Sequence, residues 1–224
     1  MQVNRFTELD NTDLEVDHIY CGGAAGNSGD DPIARLLPGC GNMGGIRVAG
    51  RHERRRFIVL FTTGKDPDWT DRLDLSSGQL TYFGDNKDPD KDLHDPKGNQ
   101  ALRDCFRLLM QGDRDRIPPF FLFHSHPVSE SKRSVRFGGL AVPGWADLPA
   151  TESLPAVWQA KDGRYFQNYR AHLTIIVEKV VARAWLRTVI AGSADDELAP
   201  AAWKQWRTTG TYQPLRLAAG GDDA

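Results

Sequence analysis

Residues 80–99, LTYFGDNKDPDKDLHDPKGN, carry the reading on which the fold turns. A short β-prone run, Leu80 to Phe83, meets Gly84 and then a long polar stretch of Asp, Lys, Pro, Asn and Gly. Such a stop after a strand reads as a hairpin end. Tyr82 then stands at the lip of a polar loop, where its ring either packs on the core or forms a platform on which something flat is stacked.

Working outward, RRFIVLFTT (55–63), GQLTYF (78–83) and PPFFLFHSH (118–126) are strands by their β-branched and aromatic content. Between the last two, NQALRDCFRLLMQG (99–112) has apolar residues at helical spacing and a stop at Gly112. VRFGGLAVPG (135–144) ends in a Pro-Gly turn, and YRAHLTIIVEKVVARAWLRTVI (169–190) contains two strand-like runs. Within it, LTIIVEKVV is strand rather than helix on its β-branched density. The tract CGGAAGNSGDDPIARLLPGCGNMGG (21–45) reads as loop, and DDELAPAAWKQWRTTG (195–210) as a final helix that begins in acids. Short strands at intervals with few helices predict an α+β chain built on a barrel or strongly curved sheet. There is no internal repeat.

The chain has 224 residues, 40% of them hydrophobic, enough for a real core. No apolar run approaches the roughly 20 residues that span a bilayer, and the start MQVNRFTELDNTDLEVD is no signal peptide, so a cytoplasmic protein is expected. Cys21, Cys40 and Cys105 are widely spaced and read as ordinary thiols. The net charge of −2 argues mildly against a protein that simply coats nucleic acid. Local clusters matter more: Arg47, Arg51, Arg54, Arg55 and Arg56 form one basic segment, and Lys132, Arg133 and Arg136 another. Each alone reads as a solvated turn with arginines off a strand edge; the two together stand out.

Several constellations bear on chemistry. No GxxxxGK[ST] or strand–GxGxxG–helix context is present, so nucleotide phosphate binding is not supported. HSHP (124–127) resembles the HxHP of JAMM zinc isopeptidases, because alternate strand residues can reach one zinc. The third ligand is missing: Ser134 is followed by Val135, Arg136 and Phe137 where an Asp is required. Glu130 and Lys132, with the distant Pro67-Asp68, mimic a nuclease metal site but sit in a Ser-rich loop. The acids Asp85, Asp88, Asp90, Asp92 and Asp95 hint at calcium without the EF-hand offsets, and read as a solvated loop. Trp69 and Asp71 in DPDWTDRLD, with Tyr82 beyond, supply flat walls and an acceptor for an exocyclic amine, as a flipped base requires. Taken by themselves, Trp69 could equally anchor a turn and Asp71 cap it.

The order GGIRVAGR, RRFIVLFTT, DWTDRLD, LTYFGDNK, KDLHDPKGN and RFGGLAVPG resembles the modified-cytosine-reading N-terminal domain of restriction endonucleases of the AspBHI and MspJI kind. More faintly it resembles the eukaryotic SRA domains. The resemblance implies an SRA-like, PUA-related curved β-barrel with flanking helices. It implies that Asp71 accepts from the cytosine amine, Tyr82 stacks, and Trp69 forms the opposite wall, with Asp74 the alternative acceptor. Segments 41–56 and 128–136 would be the loops entering the two grooves. The expected division is a reader domain over 1–195 and a helix with connector tail over 196–224. The expected function is binding of duplex DNA bearing a modified base, most simply 5-methylcytosine, without cofactor, metal or catalysis in this chain. A nuclease domain in a longer chain, or a homodimer, would complete a restriction system. A JAMM-like zinc hydrolase centred on His124 and His126 is the alternative.

Overall fold

The computed structural model describes residues 2–52, 54–66, 69–193 and 197–217. The N-terminal part contains β1 (Val3–Asn4), β2 (Leu14–Glu15), β3 (Ile19–Tyr20) and α1 (Pro32–Leu36). The centre holds β4 (Ile46–Arg51), β5 (Arg54–Thr62), β6 (Arg72–Leu73), β7 (Gln79–Phe83) and α2 (Lys97–Met110). Then come β8 (Phe120–Ser125), β9 (Val135–Pro143), β10 (Ala156–Lys161), β11 (Arg164–Ile175), β12 (Val180–Val181), α3 (Arg183–Ala191) and α4 (Ala201–Thr209).

Ten of the strands join in one sheet among the described residues, along the path β4-β5-β8-β9-β11-β7-β6 with β3, β1 and β10 as branches. The α+β class and the curved sheet flanked by helices are as expected. The path runs from β4 to β6 without closing into a complete barrel. β5 pairs antiparallel with β4 and parallel with β8, so the chain between β5 and β8 must cross over, and α2 lies in that crossover. Double-sided cover explains why β5 and β8 read as continuous apolar runs: Phe57 to Leu60 and Phe120 to Phe123 are all fully buried.

Three sequence readings are corrected. The second strand-like run of 169–190 is mostly helix α3, whose Trp185, Leu186 and Val189 face the core at helical spacing and whose end is capped by Gly192 at φ +89°. The glycine-rich tract includes α1, which starts with Asp31 as N-cap accepting from the Ile33 amide and Pro32 in the first turn. The last helix starts after Pro200; Asp195 and Asp196 lie outside the described residues. Its Trp203 packs between Trp206 and Trp185, the rings tilted to one another, within the same buried cluster as β5 and β8.

The polar stretch after β7 is not a solvated loop at its root. Asn86, Asn99 and Asn168 are fully buried and bonded to one another and to the backbone. Asn168 donates to Gly84 O at 2.8 Å, and Asn99 accepts from the Asp85 amide at 2.7 Å. A satisfied buried network of this kind fixes backbone position, because any broken member leaves a desolvated polar group. It pins Gly84 and Asp85 where β7, β11 and α2 meet.

Candidate modified-base pocket

A cavity of about 560 Å³ opens beside the ends of β4, β5 and β7. β7 brings Tyr82 and Phe83, the end of β5 brings Phe61 and Thr62, and the segment before β6 brings Asp71. Trp69 forms a further wall, held edge-to-face against Phe166 of β11 with ring centroids 5.5 Å apart. Lys132 and Arg133 line the cavity from the 128–133 segment, and both are exposed.

Tyr82 is only 2% exposed, and its hydroxyl donates to Phe61 O at 2.8 Å. A Cβ on Gly45 would lie 2.9 Å from that hydroxyl, so the approach of β4 requires glycine there. Tyr82 therefore packs in the core and lines the cavity at once.

Asp71 accepts from the Phe83 amide at 2.9 Å and from the Thr62 hydroxyl, yet burial carries its carboxyl up to about 6. Asp85 also lines the cavity and is also raised by burial to about 6, opposed by the Ile46 amide that donates to it at 3.2 Å. Gly98 of α2 abuts its other oxygen, where a Cβ would fall at 2.2 Å. The sequence reading placed Asp85 only in the acidic run; its position one residue past a strand-ending glycine was the signal available. Asp74 lies outside the cavity, exposed, with Ser76 donating to its carboxylate and holding it down to about 2.

The basic residues divide. Arg47 is buried in the cavity wall, paired to Asp31 at 2.5 Å with its guanidinium 5.0 Å from the Phe61 ring centroid. Lys87 lines the cavity, paired to Asp66 at 3.0 Å and 5.8 Å from the Trp69 ring centroid. Arg51 and Arg54 are exposed at the far end of β4 and β5, and Arg55 is paired to the buried Asp104 at 2.8 Å. Arg136 points to Asp17 at 2.9 Å, while its neighbour Val135 faces the cavity.

The histidines do not assemble a metal centre. His124 packs against Gly138 with burial pushing its imidazole down to about 4, and the His126 amide donates to Ser134 O. Among the described residues no cluster of three His, Cys, Asp or Glu could hold a metal, which removes the support for a zinc hydrolase and for calcium in the acidic run. Pro67 and Asp68 of the nuclease-like pattern lie outside the described residues.

The family described as restriction endonuclease AspBHI N-terminal matches residues 14–218. The chain belongs to that family. Among solved structures, the DNA recognition domain of the cytosine modification-dependent restriction endonuclease LpnPI is 40% identical with a TM-score of 0.91, covering 98% of each chain. The DNA modification-dependent restriction endonuclease AspBHI is 39% identical with a TM-score of 0.90, covering 97% of this chain and 100% of that one. MspJI, in complex with a 27-mer oligonucleotide, shares the fold at 23% identity and a TM-score of 0.68, with 57% of its chain covered. A comparison with curated proteins found no match. The sequence resemblance to this family thus stands over nearly the whole chain.

Proposed function

We propose that this chain is the DNA-recognition module of a modification-dependent restriction system, and that it holds a modified cytosine flipped out of duplex DNA in the cavity beside Tyr82. The observation that carries this reading is the convergence of Trp69, Tyr82 and Asp71 on one cavity of about 560 Å³. A flipped base needs stacking walls and an acceptor for its exocyclic amine. Asp71 is the acceptor, and Trp69 and Tyr82 are the walls. Lys132 and Arg133, exposed beside the cavity, meet the phosphates that flank the extruded nucleotide. Membership of the AspBHI N-terminal family, and the likeness to the LpnPI recognition domain and to AspBHI, support the same reading.

The modification is most simply 5-methylcytosine. A methyl group contributes only about 1 kcal/mol when buried, so the shape of the wall around C5 decides the preference. The working protein is cytoplasmic, and its partners are duplex DNA and either a nuclease domain in a longer chain or a second copy of this chain as a homodimer. No helix of the described residues is long and apolar enough to cross a membrane.

Binding to matched duplexes carrying cytosine, 5-methylcytosine, 5-hydroxymethylcytosine, N6-methyladenine or phosphorothioate, at one stated salt concentration, tests the reading. Tighter binding to a cytosine-modified duplex is expected. Equal affinity across the panel would refute it.

A further inference from the structure

A second cavity, of about 470 Å³, lies at the opposite end of β5 from the base pocket, between the start of that strand, the segment before β8, the end of α3, and α4. Five arginines line it, Arg54, Arg55 and Arg56 of β5 with Arg116 and Arg207, against one acid, Asp115. The wall behind them is apolar and buried, built by Ile117, Val189 and Trp203. Two of the five arginines are fixed in the fold: Arg55 is held by the buried Asp104 at 2.8 Å, and Arg56 donates to Ile190 O in the last turn of α3. The other three stand towards solvent. Arg207 reaches Asp115 at 3.3 Å, and Arg116 reaches Asp113 at 3.3 Å. The Asp115 side chain is 78% exposed and that of Arg116 63%, so both pairs are open to water and exchangeable. Arg54 is exposed and has no carboxylate partner among the described residues. Directly across from it in the β4–β5 register stands Arg51, also exposed. Like charges facing one another across a strand pair are unfavourable, and a bound anion removes that cost.

A cleft lined by one sign of charge, with a low-dielectric wall behind it, focuses its field on whatever enters. The guanidinium is a planar fork that matches the paired oxygens of a phosphate, a better partner than a solvated surface carboxylate. Between the two cavities β5 is covered on both faces, Phe57 to Leu60 being fully buried, so no exposed track along the strand joins them. We infer that this cavity is a second DNA site, blind to sequence and methylation, in which Arg54, Arg116 and Arg207 clasp the backbone phosphates of a duplex other than the one whose base occupies the pocket. The choice of DNA over an acidic protein as the anion rests on the DNA-recognition reading above; the site itself does not depend on base flipping. Arg55 and Arg56 supply field from behind without leaving their internal partners. One chain thus holds two stretches of DNA, one by a modified base and one by phosphate alone.

Sedimentation and calorimetry of the full chain with short duplexes, carrying one 5-methylcytosine or none, count the DNA bound. Two equivalents are expected at low salt. The first is tight for the methylated duplex; the second is weaker, equal for both duplexes, and falls with salt at a log–log slope of about −2 to −3 for two or three phosphates. Arg54→Glu combined with Arg116→Glu, both at the surface, is expected to weaken the second equivalent at least tenfold and leave the first and its methyl preference unchanged. The variant is expected to have a Tm no lower than that of the unaltered chain, because Arg54→Glu places an opposite charge across from Arg51. A single equivalent of duplex overturns the second site, as do two equivalents that persist in the variant. Poly-glutamate that binds more tightly than duplex and is lost in the same variant overturns DNA as the occupant. Two equivalents with no methyl preference overturn the base pocket and leave this site standing.

Discussion

Tyr82 ties β7 to β5 through its bond to Phe61 O, whereas Trp69 is half-buried in a loop and leans on Phe166. The two walls should therefore respond differently to truncation. Tyr82→Ala should cost about 3–5 kcal/mol of stability, as large buried aromatics do, and Tyr82→Phe about 1 kcal/mol for one hydrogen bond, both read by denaturant unfolding. Trp69→Ala should leave the unfolding midpoint nearly unchanged and weaken modified-duplex binding by roughly 1–3 kcal/mol of stacking. Asp71 and Asp85 add a pH signature. Each is raised to about 6 from its ordinary 3.8. A carboxyl with a raised folded pKa binds more protons folded than unfolded, so its contribution to stability is complete below about 4 and lost as pH rises through about 6. Asp71→Asn and Asp85→Asn should thus raise the Tm relative to the unaltered chain at pH 7.5, with the gap closing towards pH 4. A constant gap across that range would mean that the carboxyls are not desolvated.

β4 and β5 carry basic residues at two ends that the sequence could not tell apart. Arg47 lies at the cavity end and is spent on Asp31; Arg54 lies at the other end, roughly 23 Å along β5 from Phe61 at about 3.3 Å per residue. Lys132 and Arg133 stand at the cavity itself. Replacing Arg133 or Lys132 by Ala should weaken binding to modified and unmodified duplex alike and flatten the salt dependence by about one unit of slope each. Arg54→Ala should change neither if the duplex is centred on the cavity; a loss equal to that of Arg133→Ala would extend the footprint along β5. Strands β5, β7 and β8 and helix α2 were legible because each carries the period or the apolar run its burial demands. Helix α3 was not, because the β-branched residues of 173–181 run straight into it and mask the spacing of Trp185, Leu186 and Val189.

At the scale of the whole molecule, three residues that line the cavity could be picked out from the sequence, while the way the fold assembles that cavity could not. Trp69, Asp71 and Tyr82 lie close in sequence, so motif order reached them. Asp31, Arg47, Asp85 and Arg133 come together only through the sheet path and the Asn86–Asn99–Asn168 network, which no local pattern announces. The same assembly bears on catalysis. Metal-assisted phosphodiester cleavage needs carboxylates held rigidly around a divalent ion. Among the described residues no such cluster exists, and Glu130 and Lys132 are exposed, with the Glu130 carboxylate bonded to Ser129 and to its own backbone. Of the four carboxylates that line the cavity, Asp31 is paired to Arg47 and Asp66 to Lys87, while Asp71 and Asp85 are disfavoured as anions by burial, the reverse of what a magnesium ligand requires. The chain alone, incubated with magnesium and methylated or unmodified duplex, is expected to leave both intact while binding the methylated one more tightly. Gel analysis of the DNA after prolonged incubation checks the first half, and anisotropy on the same preparation the second. Cleavage that co-purifies with the chain and is abolished by Asp71→Ala or Asp85→Ala would move the catalytic centre into this cavity and overturn the reader assignment.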